Sequence, residues 1–294
     1  MKEFITKLDE MQISHNSLVC VGLDSEFGKI PKHAYRKGNE CNVDLTNTMV
    51  HFNASIMEAV HGIVAACKLN LAFYLEHGSE GINALSRTIT DIRVLDRDLP
   101  IILDGKFGDV ENTDSRYAEF AFKFLRVDAI TINPYLGREA NQPVLDYADK
   151  GIFVLCRTSN KGAGEFQDKL VPVPGNGRHV PLYQDVAHSV ASEWNANHNC
   201  GLVVGATYPG ELALVRQIID DSTEAHESMP ILSPGVGKQG GDVEKTVKAG
   251  IDSRKRGLLI NSSSGIIFAS PDANYVEAAR TATLKLRDES NQYR

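Results

Sequence analysis

The chain has 294 residues, 42% of them hydrophobic, with 38 acids against 31 bases for a formal charge of −7. That balance excludes the broad basic face a nucleic-acid binder needs, yet leaves room for a positive pocket around one small anion. No apolar run approaches the ~18 residues of a membrane span, and five scattered cysteines without a C-x-x-C pair fit reduced thiols in a cytoplasmic protein.

The opening "MKEFITKLDEMQ" reads as an amphipathic helix charged along its length, not as a signal peptide. A first strand follows in "SLVCVGLD" (Ser17 to Asp24), then a helix in "TNTMVHFNASIMEAVHG" with Thr46 as its start signal. The second strand is "IVAACKLN" (Ile63 to Asn70) and the third "LPIILDGK" (Leu99 to Lys106), with the helical pattern "EGINALSRTITDIRVLD" between them. "NTDSRYAEFAFKFLR" continues as a helix into the fourth strand, "VDAITIN" (Val127 to Asn133), and the fifth is "GIFVLCRT" (Gly151 to Thr158). The Pro/Gly-rich "LVPVPGNGRHVPLY" (Leu170 to Tyr183) reads as a long loop, a candidate rim or lid. A helix in "YQDVAHSVASEWNAN" leads to strand six, "CGLVVGAT" (Cys200 to Thr207), and "PGELALVRQIIDDS" is a helix opened by Pro209. "PILSPG" (Pro230 to Gly235) and "RGLLINSS" (Arg256 to Ser263) complete the set of eight.

Short, near-continuous apolar strands suit a parallel sheet buried on both faces. Eight of them with helices between predict an α/β fold, a single (β/α)8 TIM barrel occupying residues 1–294. An open doubly wound sheet is the runner-up, because strand order cannot be read from one sequence.

In a barrel, chemistry belongs where strands end. Strand one ends at Asp24, strand two carries Lys68, strand three gives Asp104 and Lys106, and strand five runs into Arg157, Thr158, Ser159 and Asn160. Residues 104 and 106 are two apart, so on an extended strand both side chains share one face. An isolated D-x-K is most simply a self-neutralising salt bridge. Here Asp24 and Lys68 bring a second acid and base to the same mouth, and buried ion pairs accumulated at little gain in stability point to function. "SPGVGKQGGD" (Ser233 to Asp242) has four glycines in ten residues, a backbone able to approach a phosphate, although without the G-K-[ST] of a P-loop. The dispersed histidines form no H-x-x-x-H, so no metal site is expected. Cys156, inside a strand, reads as core rather than nucleophile, and Trp194 as packing its helix onto the barrel.

"LDGKFGDVENT" resembles the D-x-K-x-x-D-x-x-x-T signature of the orotidine 5'-phosphate decarboxylase family. "VGLDS", "CKLNLAFYLEHGSEG", "TINPYLG", "FVLCRTSNKGAGEFQ", "VVGATYPGELALVR", "SPGVGKQGG" and "LLINSSSGIIFAS" are similar to its longer, bacterial-type branch. The resemblance implies conversion of orotidine 5'-monophosphate to UMP and CO2 with no cofactor. It makes Lys106 the proton donor to C6, and Asp104 the carboxylate set against the departing one. Asp109 and Thr113 become residues contributed across a homodimer interface to the partner's site. Asp24 and Lys68 become ribose contacts, with Lys68 also continuing the charge array. Ser159 becomes the pyrimidine-binding serine, and Gln239, with Gly240, the phosphate-gripping loop.

One position departs from the family pattern. Ser264 in "INSSSGIIF" stands where the family usually has a phosphate-gripping arginine. Either another cation substitutes, with Lys238 and Arg256 as the candidates, or phosphate is held weakly, or this copy carries an altered residue. A metal-dependent sugar-phosphate lyase or synthase on the same barrel is the competing enzyme reading. A weakly catalytic nucleotide-binding protein is the third.

Overall fold

The structure is a computed structural model that describes residues 3–38, 43–173, 175, 177–223, 229–236 and 241–294. Its strands in chain order are β1 (Val19–Gly22), β2 (Ala66–Asn70), β3 (Ile101–Phe107), β4 (Ala129–Ile132) and β5 (Gly151–Arg157). They continue with β6 (Leu170–Pro172), β7 (His179–Pro181), β8 (Cys200–Val204), β9 (Ile231–Pro234) and β10 (Leu258–Ser262). Eight of the ten close into a parallel barrel in the order β1-β10-β9-β8-β5-β4-β3-β2. Closure, not an open sheet, is the outcome, and each predicted strand supplies one stave.

The barrel interior is built in layers by two-residue periodicity. Cys20, Ala66, Ile102, Ala129, Phe153, Val203, Leu232 and Leu259, one from each stave, form a single buried apolar plug. Two residues further along their strands stand Lys68, Asp104, Thr131, Leu155, Pro234 and Asn261, which line an open cavity above it. The helix Phe4–Ser14 seals the opposite end, with Phe4 meeting Phe153 edge to face at 5.7 Å. Lys7 there donates to Asp128 at 2.8 Å. A second, larger core lies between the strands and the surrounding helices.

Three local expectations need correction. The helix Leu45–Val60 is capped by Asp44, whose carboxylate accepts the Asn47 N–H at 2.7 Å. Thr46 lies inside the first turn, where its hydroxyl donates to the Glu80 carbonyl at 3.0 Å. The segment 170–183 is not a bare loop. β6 and β7 pair antiparallel, Val171 opposite Val180, and a helix starts at Leu182. Proline lacks an N–H, but in a two-stranded ribbon it can occupy edge positions where none is needed. The helix predicted over residues 112–126 is α-helical only to Ala118 and then widens into i→i+5 turns over Glu119–Phe124. Pro209, by contrast, opens the helix Pro209–Ser222 as expected.

Candidate active site

A cavity of about 610 Å³ opens at the C-terminal ends of the staves, and it gathers Asp24, Lys68, Asp104, Lys106, Ser159 and Ser264. Its floor is a chain of alternating charge. Asp24 Oδ1 lies 3.3 Å from Lys68 Nζ, Lys68 Nζ 3.0 Å from Asp104 Oδ2, and Asp104 Oδ1 2.7 Å from Lys106 Nζ. Two further hydroxyls complete it: Ser263 donates to Asp24 Oδ2 at 2.7 Å and Thr131 to Asp104 Oδ1 at 2.8 Å. Gly22 makes the first of these possible, because a Cβ there would sit 1.8 Å from the Ser263 hydroxyl.

The electrostatics follow from burial and partnership. Burial alone would pull the Lys68 ammonium down, but the carboxylates of Asp24 and Asp104 outweigh it and hold its pKa above the ordinary lysine value. Burial would likewise push Asp104 up, but Lys68, Lys106 and the Thr131 hydroxyl together hold it well below the usual carboxylate range. Asp104 is therefore an ionised carboxylate with almost no access to water. Lys106 is different: its side chain is 48% exposed, so its ammonium can meet a ligand in the cavity.

The route by which Asp104 and Lys106 meet differs from the simple strand argument. β3 and β4 are in register at Leu103↔Ile130 and again at Phe107↔Ile132, so three residues of β3 face one of β4. The excess is a bulge, and Lys106 occupies it with φ +48°, a left-handed conformation uncommon outside glycine. Its N–H donates to the Thr131 hydroxyl at 2.9 Å, so one threonine both pins the bulge and bonds Asp104. Gly105 is needed beside it, since a Cβ there would lie 2.3 Å from the Phe107 ring. Backbone strain of this sort costs ~1–3 kcal/mol and persists where surrounding contacts over-determine it.

Other expected positions fall in several places. Asp109 and Thr113 do not line this chain's cavity; Asp109 precedes the helix Glu111–Ala118 and Thr113 lies in its first turn. Gln239, Gly240 and Lys238 lie outside the described residues. Arg256 is not available to the cavity: it precedes β10 at the other end of the barrel and faces Asp9, Nε to Oδ1 3.5 Å. Arg157, buried, turns away to pair with Asp168 (Nε to Oδ1 3.0 Å) and lies 4.1 Å over the Tyr208 ring. Cys156 is core, its thiol pushed up to about 12 by burial. Trp194 packs into the outer core.

Sequence reasoning did not single out Thr131, Gln167 or Lys29. Thr131 looks like an ordinary strand residue, and only its stave neighbour shows its role. Gln167 clasps the β5 loop, its Oε1 accepting the Thr158 N–H at 2.9 Å and its Nε2 donating to the Thr158 hydroxyl at 2.9 Å. Lys29 reaches the cavity from the turn Phe27–Lys29.

The profile of the "Orotidine 5'-phosphate decarboxylase / HUMPS family" matches residues 18–281. The orotidine 5'-phosphate decarboxylase of Cellvibrio japonicus is 40% identical over 294 residues, covering 98% of each chain. That of Thermomicrobium roseum is 42% identical over 286 residues, covering 97% of this chain and 94% of its own. Among solved structures, Leishmania donovani OMP decarboxylase superposes with a TM-score of 0.80 at 34% identity, over 99% of this chain and 98% of its own. The UMP synthase of the same organism superposes with a TM-score of 0.81 at 35% identity; all of this chain matches, spanning 57% of that longer one. Among the described residues, no helix is long and apolar enough to cross a membrane.

Proposed function

The chain belongs to the orotidine 5'-phosphate decarboxylase family, and from that premise we propose that it converts orotidine 5'-monophosphate to UMP and CO2 with Lys106 as the proton donor. The C6–carboxylate bond breaks, its electron pair stays on C6, and the proton that fills the position comes from the Lys106 ammonium. No electron sink adjoins C6, so the developing charge must be met by the protein. An ammonium already fixed beside C6 does this without reorganisation and then transfers its proton. No cofactor takes part.

The observation that carries this reading is the alternating array Asp24–Lys68–Asp104–Lys106 on the cavity floor. Lys68 keeps Asp104 ionised, and Asp104 in turn anchors Lys106. An ionised Asp104 also crowds a substrate carboxylate more than a transition state that is losing one. That effect ranks below electrostatic preorganisation. Asp24 and Lys68 would contact the ribose, Ser159 the pyrimidine, and Ser264, Gln239 and Gly240 the phosphate. Asp109 and Thr113 are absent from this chain's own cavity, which supports a homodimer in which each subunit completes the other's site. Residues 1–294 act as one domain in this reading, in the cytoplasm.

Lys106→Ala tests it. Proton transfer by a positioned group contributes ~10²–10⁴-fold, and charge stabilisation is lost as well. Turnover of orotidine 5'-monophosphate should therefore fall by at least that factor with the circular dichroism spectrum unchanged. Near-native turnover would overturn the assignment.

A further inference from the structure

The decarboxylase reading leaves one need unmet. Its substrate carries a phosphate monoester of about −1.5 to −2 charge near neutral pH, as well as the carboxylate. The described residues lining the cavity include three acids, Asp24, Glu26 and Asp104, and three bases, Lys29, Lys68 and Lys106. This described lining is neutral overall, so a cation can face the phosphate only by turning away from its own acid.

Two of the three bases are committed. Lys68 is buried, its side chain 5% exposed, between two carboxylates. Lys106 is held by Asp104 and, on the reading above, faces C6. Among the described residues, Arg157 at the end of β5 and Arg256 before β10 are engaged elsewhere, with Asp168 and with Asp9.

Lys29 differs in each respect. Its ammonium pairs with Glu26 at 2.6 Å across a single turn, and the two side chains are 59% and 44% exposed. Exposed pairs of this kind contribute little, because water solvates both partners nearly as well. Release of Lys29 to a stronger anion is therefore easy. Position agrees with this. β1 and β10 are neighbouring staves, Val19 opposite Ile260 and Val21 opposite Ser262. The turn after β1 that carries Lys29 and the segment Ser263–Gly265 after β10 consequently border the same arc of the cavity rim, and both line it.

Resting on the decarboxylase reading, we propose that Lys29 is the cation for the substrate phosphate, leaving Glu26 on binding and closing over the anion beside Ser264. Lys29 then determines specificity for nucleotide over nucleoside, from the turn after β1, while the residue after β10 carries no charge.

The test is steady-state and single-turnover kinetics of wild type, Lys29→Met and Lys29→Arg with orotidine 5'-monophosphate and with orotidine, which lacks the phosphate. A charge-assisted hydrogen bond is worth ~1.5–3 kcal/mol, so Lys29→Met should lower kcat/KM for the nucleotide roughly 10- to 100-fold. The nucleoside rate should stay within about twofold of wild type. Lys29→Arg should keep most of the nucleotide activity, and Ser264→Arg introduced into Lys29→Met should restore part of it. An unchanged kcat/KM for the nucleotide in Lys29→Met, or an equal fall for nucleotide and nucleoside, would overturn the proposal. Failure of the wild type to release CO2 from the nucleotide would instead overturn the decarboxylase reading itself, so the two failures are distinguishable.

Discussion

Replacing Lys68 by methionine should expose how the charge array is held together. Methionine has a similar length and no charge, so little cavity is created and the change isolates the ammonium. Lys68 Nζ lies 3.0 Å from Asp104 and 3.3 Å from Asp24, in a side chain 5% exposed. At an effective dielectric of about 20, each contact is worth about 5 kcal/mol of attraction, most of which offsets the cost of dehydrating three charges. Removing Lys68 takes the shared cation from two carboxylates, leaving Asp104 to Lys106 and Thr131 and Asp24 to Ser263, and breaking a buried pair typically costs about 3–5 kcal/mol. At roughly 2–4 °C per kcal/mol for a domain somewhat smaller than this one, Tm should fall by about 6–20 °C.

The pH dependence has a definite sign. Asp104 is depressed below its unfolded value, so its contribution is present above about pH 4 and is lost as the pH falls through the folded pKa. Lys68 is raised above 10.5, so its contribution is complete below that pH and fades only at higher values. The gap between wild type and Lys68→Met should therefore be flat from about pH 5 to 10 and narrow below about pH 4. Urea unfolding followed by circular dichroism across this range measures it. A difference under about 1 kcal/mol at pH 7, or a gap that does not narrow in acid, would refute the argument that the array is a mutually dependent buried network.

Mixing inactive Lys106→Ala and Asp109→Ala proteins should restore activity, because one of the two sites in a mixed dimer receives both intact residues; no recovery in mixtures shown to exchange subunits would exclude shared sites. Thr131→Val removes the hydroxyl that bonds Asp104 and accepts the Lys106 N–H, leaving a buried donor unpaired at a cost of about 1–3 kcal/mol. Its kcat should fall by more than its KM changes, and an unaltered kcat would show that the bulge is held by other contacts. Asp114 is buried, and burial pushes its pKa up to about 6 against the lowering effect of the Asp109 backbone N–H. Its charge thus opposes folding increasingly as the pH rises from about 4 to 6. Asp114→Ala should raise Tm at pH 7.5 relative to its effect at pH 4, and an equal shift at both would contradict that sign.

Eight apolar runs with helical patterns between them carried the barrel, because burial of both faces of a parallel strand leaves a signature in each stretch of chain taken alone. The clustering of acid and base at strand ends was legible for the same reason: Lys68 and Asp104 stand two residues beyond the plug residues Ala66 and Ile102, so one periodicity places both layers. What needed the tertiary structure was every relation between staves. Closure of the sheet sets β1 against β10, which brings the Lys29 turn beside Ser264 across more than two hundred residues of chain. The bulge at Lys106 depends on Thr131 of the next strand, and strand alternation within β3 could not disclose it. Arg256, close in sequence to Ser264, lies at the wrong end of the barrel, because a strand of five residues separates them and carries the chain from one face of the molecule to the other. Local patterning records which residues are buried; only the packing of staves decides which charges meet.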